Sequence, residues 1–482
     1  MIPPTAAAVA SYPFLLNGEW ISEGQPAEIL CPFDGRVVGQ VYYGSRKHVE
    51  SAVRAALSAF SVTRKLASHE RHRILSAISS GIAVRHEEFA QTIALEAGKP
   101  IRTARQEVDR AVYTFRVAAE ESTRIGGEYL PLDTIAAGDG RWGMVRRFPV
   151  GPIFAITPFN FPLNLVVHKL APAIAAGCPI ILKPAPQTPI TALKLAEVIH
   201  ESGWPSGALA VMPLSNDDAA LLVADERIKL LTFTGSAVGW ELKAKAGKKR
   251  VLLELGGNAG VIIHSDADLQ FAAQRCAAGG FSYAGQSCIS VQRIFVEKTV
   301  YPKFVEQFVN EVRKLKVGNP LNETTDVGPL IREADAIRAE QWVHDAIDQG
   351  AKLLCGGTRT GSSLSPAVLT NTRPGMLVNC REIFAPVVTV EPYEDFREAL
   401  QQVNASPFGL QAGLMTRDSQ LIFAAYNELE VGGLVVGDVP TFRIDHMPYG
   451  GIKDSGLGRE GLRYAIEEMT EPKLLVMNLP PL

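Results

Sequence analysis

From Gly151 onward the chain repeats one rhythm: a short apolar run, a turn, then a stretch with apolar residues every three or four positions. The runs at 153–156, 180–183, 209–212, 229–233 and 251–255 read as strands. Between the second and third, Thr188 and Pro189 mark a helix start. Ala192, Leu195, Ala196 and Ile199 form its apolar stripe, and Gly203 stops it. This alternation predicts an α/β fold with a parallel, doubly wound sheet, whose ligand crevice lies at the C-terminal ends of the strands. A second α/β block opens near Gly256. It has a strand at 259–263, a helix capped by Ser265 with Asp268 three residues on, a strand at 294–297, a helix at 300–315, then a strand at 387–393 and a helix at 396–403.

Ahead of these blocks, short alternating segments with turns at Asn17-Gly18 and Asp34-Gly35 suggest small strands over 14–43. Helical spacing continues over 48–60, 67–85, 89–98 and 107–125. Gly126-Gly127 breaks it, and 128–149 reads as a long hairpin turning at 138–140, a protruding arm. The apolar segment 474–478 near the end needs a partner sheet. A chain of 482 residues exceeds one compact core, so two large domains and an appendage are expected.

A hydrophobic content of 46% with 21% charged residues fits a globular enzyme, and a net charge of -3 offers no electrostatic reason for nucleic acid or an anionic membrane as partner. The apolar run 170–182 is shorter than a membrane span and holds Pro172, Gly177 and Pro179. The six cysteines are scattered without a Cys-x-x-Cys pair or a histidine cluster, so neither a disulfide framework nor a metal site is expected. A cytoplasmic location suits them, and residues 1–17 lack the charged start of a secretory signal.

Polar residues sit at predicted strand ends. Asn160 lies in a turn between Pro158 and Pro162, where a side-chain amide can stabilise an oxyanion or simply cap a turn. Gly235-Ser236 with Gly239 allows close backbone approach to an anion, although it is not the Gly-x-Gly-x-x-Gly fingerprint. Lys183 ends a strand where a cation can reach a ribose or phosphate. Glu254 closes the last strand beside Gly256-Gly257, a place for a general base or for an ordinary ion pair. Cys288 comes after Gly285-Gln286-Ser287 just beyond a predicted helix; alone it reads more readily as a buried apolar thiol than as a nucleophile.

Pro158-Phe159-Asn160, Lys183-Pro184-Ala185, Phe233-Thr234-Gly235-Ser236, Glu254-Leu255-Gly256-Gly257-Asn258, Gly285-Gln286-Ser287-Cys288, Glu382-Ile383-Phe384-Ala385-Pro386 and Pro448-Tyr449-Gly450-Gly451 occur in this order along the chain. In order and spacing they resemble the aldehyde dehydrogenase superfamily over essentially the whole chain. The resemblance implies a Rossmann-like cofactor domain from 1–125 and 150–255, a catalytic domain from 256–454, and a small β oligomerisation arm from 126–149 with 455–482. It implies Cys288 as nucleophile, Asn160 as oxyanion donor and Glu254 as general base, on a path through a thiohemiacetal and a thioester that water hydrolyses. The cofactor, NAD or NADP, would be held by Lys183 and Ser236 at the adenosine ribose and pyrophosphate, and by Glu382 and Phe384 at the nicotinamide ribose. Ile156, Thr157, Phe159, Ala185, Pro186, Gly235 and Leu255 complete that set.

Two departures matter. Pro186 stands where many NAD-preferring relatives have glutamate, which removes the main bar to NADP. Ala385 replaces a commoner glycine, a change of one methyl. Relatives that pass the acyl group to coenzyme A typically lack the glutamate found here at Glu254, so hydrolysis to a free carboxylate is expected. The stretch from Thr441 to Pro448 resembles the subgroup acting on small polar aldehydes, which includes lactaldehyde, phosphonoacetaldehyde and non-phosphorylating glyceraldehyde-3-phosphate dehydrogenases. There Arg110 and Arg443 can face an anionic substrate group or form structural ion pairs. Ser287, where phosphate-handling members often carry arginine, points to a carboxylated or hydroxylated small aldehyde. The arm implies a homodimer or homotetramer.

Overall fold

The computed structural model describes residues 9–478; the first eight and last four, at the ends of the expected cofactor domain and arm, lie outside the described residues. Five parallel strands stand in the order Arg250–Glu254, Leu230–Thr234, Ile153–Ile156, Ile180–Lys183, Leu209–Val211. They are mostly apolar and mostly buried, without a polar alternation, because helices cover both faces of the sheet and leave no solvent side; the charged residues Lys183, Arg250 and Glu254 stand at strand ends. The chain runs outward from Ile153–Ile156 through two neighbours, then returns to place Leu230–Thr234 on the other side. That reversal opens a crevice beyond Ile156 and Thr234, where such sheets bind ligands.

The sheet reaches eight strands through antiparallel additions, the hairpin Phe14–Leu16 and Glu19–Ile21 at one edge and Gly456–Leu457 at the other. The second block forms a seven-stranded sheet with Val291–Glu297 and Ala259–Ile263 at its centre, parallel except at the edge strand Lys352–Cys355. An α/β molecule with two such sheets is the fold expected. Gly127–Pro131, Arg141–Pro149 and Thr470–Asn478 make a separate three-stranded antiparallel sheet. Of the stretch 455–478, only Thr470–Asn478 enters it. Gly456–Leu457 joins the eight-stranded sheet, and the helix Leu462–Glu468 packs against the helices Ile101–Ser122 and Asn164–Ala176. No helix among the described residues is long and apolar enough to cross a membrane.

The helix Asn164–Ala176 is buried at every position, although it contains His168 and Lys169. Two titratable groups inside an all-round apolar helix need partners, and both find them near the candidate site.

Two local expectations change. Ser265 does not cap the next helix: the cap is Asp268, whose Oδ1 accepts from the Phe271 N–H at 3.1 Å, and the helix spans Leu269–Phe281. Ser265 instead gives its backbone N–H to Glu297 Oε2 at 2.8 Å. The helix Pro189–Glu201 starts after Thr188 as expected, but its free amides are taken by Glu96, which accepts from Ile190 and Thr191 at 2.8 and 2.9 Å. A buried carboxylate at a helix N-terminus satisfies both amides and the positive end of the dipole.

Candidate active site

A cleft of about 360 Å³ lies where the turns after Ile153–Ile156 and Leu230–Thr234 meet the second sheet. Phe159, Asn160, Gly235, Ser236, Leu255, Cys288, Glu382 and Phe384 line it. Residues from sequence-distant segments therefore converge on one space. A larger cleft, about 790 Å³, sits beside the three-stranded sheet near Arg147 and holds none of the candidate residues.

The nucleophile's loop is set by an unusual turn. Tyr283, Ala284 and Gly285 all have left-handed backbones, at φ 50, 53 and 68. For the two residues with side chains this costs about 1 kcal/mol each, so neighbours must enforce it. Tyr283 donates from Oη to Ala97 O at 2.9 Å, and the buried Lys99 ammonium lies 4.4 Å from its ring centroid. Gln286 fastens the loop on its other side: its Nε2 donates to Tyr283 O and Pro329 O, and its Oε1 accepts from the Ile331 N–H. Gly257 permits the final approach, since a Cβ there would stand 2.0 Å from Cys288 O.

Asn160 crosses to this loop and donates from Nδ2 to Gln286 O at 3.0 Å. Its Oδ1 is buried with no partner among the described residues. The turn carrying it is braced by Glu107, which accepts from the Leu163 and Asn164 amides at 2.9 and 3.0 Å and pairs with buried Lys99. Cys288 Sγ lies 3.1 Å from Tyr449 Oη, and the Cys288 backbone N–H has no acceptor among the described residues. Burial pushes the thiol up to about 12; the Tyr449 hydroxyl opposes it, the Glu382 and Glu254 carboxylates add to it, and Arg443 opposes.

Glu254 is 5% exposed, and its Oε2 lacks a partner among the described residues. Burial, then the nearby Glu460 carboxylate, raise it well above the ordinary carboxylate range against the cations Lys169, Arg443 and Arg459. Glu460 goes the other way: burial works against its ionised form, but Lys169, His168 and Arg443 outweigh that and hold its carboxyl low. Two neighbouring carboxyls are thereby pushed apart, one kept ionised and the other available to take a proton. Lys169 Nζ and Arg443 Nη2 each contact Glu460, at 2.7 and 2.8 Å.

The two arginines are both ion-paired. Arg110 holds Asp445 through Nε and Nη2 at 3.1 and 2.6 Å, and Asp445 also accepts from Asn164 Nδ2 at 3.2 Å and lies 2.8 Å from His168 Nε2. Arg443 packs over the Tyr449 ring, 3.6 Å from its centroid. Each guanidinium keeps its Nη1 without an acceptor among the described residues. Ser287 is half-buried, its N–H given to Gly285 O.

Other expected cofactor residues sit at or just past the ends of strands in the same sheet. Ile156 ends its strand and Thr157 follows it, and buried Thr157 Oγ1 and Thr234 Oγ1 have no partners among the described residues. Lys183 has no acidic partner among them, and burial lowers its pKa. Two buried hydroxyls without partners and an ammonium without an acidic partner among the described residues, together with Gly235, are groups of the kind that suit a dinucleotide's hydroxyls and phosphates. Glu382, pushed up to about 7 by burial against the Gly257 N–H and Arg338, accepts that N–H at 2.9 Å. Ala185 is buried, while Pro186 is exposed beside a second cleft with Gln187.

Asp335 and Arg338 also line the cleft and were not singled out from sequence; they sit one turn apart on the helix Glu333–Asp348, and Arg338 donates to Ile383 O at 2.8 Å. Lys169, His168, Asp445, Glu460 and Tyr449 were likewise missed as site residues. The available signal was two titratable residues inside the apolar run 163–176.

Residues 20–475 match the model of the Aldehyde dehydrogenase family. The chain is 44% identical over 475 residues to a 3-sulfolactaldehyde dehydrogenase of Priestia aryabhattai, covering 98% of this chain and 99% of that protein. Its structure superposes with a TM-score of 0.96 on aldehyde dehydrogenase 21 from Physcomitrella patens in complex with the reaction product succinate, at 44% identity over 98% of this chain and 99% of that one. A glyceraldehyde-3-phosphate dehydrogenase of Methanocaldococcus jannaschii complexed with NADP gives a TM-score of 0.91 at 38% identity, covering 95% and 100%.

Proposed function

Because the chain belongs to the aldehyde dehydrogenase family, we propose that it oxidises a short aldehyde with a distal carboxylate or sulfonate, using Cys288 as nucleophile, Asn160 as oxyanion donor and Glu254 as base. The observation that carries this reading is the convergence of Cys288 and Asn160 on one cleft with a raised carboxyl, Glu254, at the adjoining strand end. The Cys288 thiolate attacks the carbonyl carbon, a C–S bond forms, and the carbonyl π pair moves to oxygen. The free N–H of the Asn160 amide and the Cys288 backbone N–H are the donors for that oxyanion. A nicotinamide cofactor held by Lys183, Ser236, Glu382 and Phe384 supplies the acceptor for the departing hydride. Glu254 then takes a proton from water as the water oxygen adds to the Cys288 thioester, and collapse releases the carboxylic acid and the thiolate. Coenzyme A is not needed for this route.

The anionic end rests on Arg110 and Arg443, whose Nη1 groups are not used by Asp445 or Glu460, and on the compounds named for two relatives, sulfolactaldehyde and succinate. With no carboxylate at Pro186, NADP is accepted as well as NAD. The same reading assigns 1–125 and 150–255 to cofactor binding, 256–454 to catalysis, and 126–149 with Thr470–Asn478 to assembly, the segment between 455 and 469 going with the cofactor-binding sheet on which it packs. The exposed Leu474, Leu475 and Val476 on an edge strand support a homodimer or homotetramer.

The test is nicotinamide reduction by the purified protein with short sulfo-, carboxy-, phospho- and uncharged hydroxyaldehydes, NAD and NADP separately. The sulfo- or carboxyaldehyde should exceed the uncharged one at least about tenfold in kcat/KM, one lost charge-assisted contact. Equal rates would remove the anionic substrate, and a requirement for coenzyme A would replace hydrolysis with acyl transfer. Asn160→Ala should lower kcat by about 10²- to 10³-fold with cofactor binding unchanged, the loss expected for one oxyanion donor.

A further inference from the structure

Tyr449 performs none of the steps assigned to Cys288, Asn160 and Glu254, yet its phenol oxygen stands 3.1 Å from Cys288 Sγ. Two constraints put it there. Its backbone N–H donates to Glu460 O at 3.1 Å and its carbonyl accepts from Glu460 N at 2.6 Å, an isolated antiparallel bridge. Its ring is 3% exposed and packs with Ile289 and Leu410 against Cys288, while the Arg443 guanidinium lies over it at 3.6 Å. Arg443 is itself held by Glu460 Oε2 at 2.8 Å. One residue, Glu460, thus places both the backbone of the phenol and the cation on its ring.

A phenol beside a sulfur can donate to a thiolate or accept from a thiol. The cation decides between them: a guanidinium over the ring draws electron density from it, which strengthens the O–H as donor and weakens the oxygen as acceptor. We propose that Tyr449 is a catalytic residue whose hydroxyl donates to the Cys288 thiolate, easing ionisation of the sulfur and aiming it before attack. The inference rests on Cys288 being the nucleophile. As the thiolate forms, the S–H proton passes to water and the phenol keeps its own. When the C–S bond forms, the sulfur loses its charge and the hydrogen bond weakens; it returns when hydrolysis of the thioester regenerates the thiolate. The balance at the sulfur fits this role, because burial and the carboxylates Glu382 and Glu254 oppose ionisation, and Tyr449 and Arg443 are the groups that favour it.

The experiment is the rate of iodoacetamide alkylation of Cys288 against pH, followed by mass spectrometry of its peptide, in the full chain and in Tyr449→Phe. The readout needs no turnover, so it stands apart from whether the aldehyde or the cofactor is correctly assigned. The expected result is a rise of about one unit in the apparent pKa of Cys288, seen as about tenfold slower alkylation at pH 7 and convergence of the two rates at high pH. An unchanged profile overturns the proposal, and so does a fall, which would make the thiol the donor. A chain with 3-fluorotyrosine at position 449, which keeps the hydroxyl and makes it a better donor, should shift the pKa down; a shift up or none overturns the proposal independently of how the Phe variant folds.

Discussion

Cys288→Ala should abolish aldehyde oxidation, with a loss of about 10⁴-fold or more in kcat, because removal of a covalent nucleophile leaves only binding and oxyanion stabilisation. No other thiol can stand in. Cys31, Cys178 and Cys276 are buried away from the cleft that Cys288 lines. Cys355 and Cys380 are partly exposed but lie outside the cleft that Cys288 lines. The substitution removes only a sulfur from a half-buried position, so the melting temperature and the affinity for NAD or NADP should stay close to those of the parent chain. The measurement pairs steady-state nicotinamide reduction with cofactor titration by fluorescence. Full turnover in the variant would end the covalent mechanism, and with it the roles of Asn160 and Glu254.

The second large effect is expected at Glu254. Glu254→Gln leaves attack and hydride loss possible but removes the group that takes a proton from water, so the enzyme should release about one equivalent of reduced cofactor in a burst and then stall, with steady-state kcat down by about 10²- to 10⁴-fold. The pH dependence has a definite sign. Glu254 works as a base only when ionised, and burial with Glu460 nearby raises its pKa well above the ordinary carboxylate value. Steady-state kcat of the parent should therefore climb with pH through that raised value, and the variant should lose this limb. Stability runs the other way. A carboxyl whose folded pKa exceeds its unfolded one stabilises the fold below the unfolded pKa and loses that contribution as pH rises through the folded pKa. Glu254→Gln should accordingly melt higher than the parent at alkaline pH and close to it in acid. An unaltered kcat, or a burst absent while turnover persists, would take the base role from Glu254.

The ion-pair network explains how such a base survives beside Cys288. Lys169 comes from the buried helix Asn164–Ala176, and Glu460 and Arg443 from the C-terminal loops. Two cations face one ionised carboxylate, and their placement gives Glu460 the stabilised charge and leaves Glu254 without a dedicated partner among the described residues. A buried pair of this kind is costly to assemble, and breaking one member strands the other.

Much of the molecule was legible in the order of residues alone. The alternation from Gly151 sets the parallel sheet, because strands covered on both faces are mostly apolar in their interiors and the helices between them bury an apolar face. The motifs at Asn160, Lys183, Ser236, Glu254 and Cys288 could be placed at strand ends or beyond a helix without coordinates, since strand ends are set by periodicity, whereas Glu382 came only from the family resemblance. What local pattern could not reveal is pairing across long separations. Glu96 caps a helix 94 positions away, Tyr449 reaches Cys288 across 161, and Arg110 meets Asp445 across 335. Ser265 was a plausible cap by spacing, yet Asp268 won because the helix begins where its own carboxylate can reach the Phe271 amide. Sequence determines which side chains are available and which face of each element they occupy. Only the packed fold decides which buried charges meet, and since desolvation makes every unpaired charge expensive, it is those meetings that separate Glu254 from Glu460 and bring a phenol to the sulfur of Cys288.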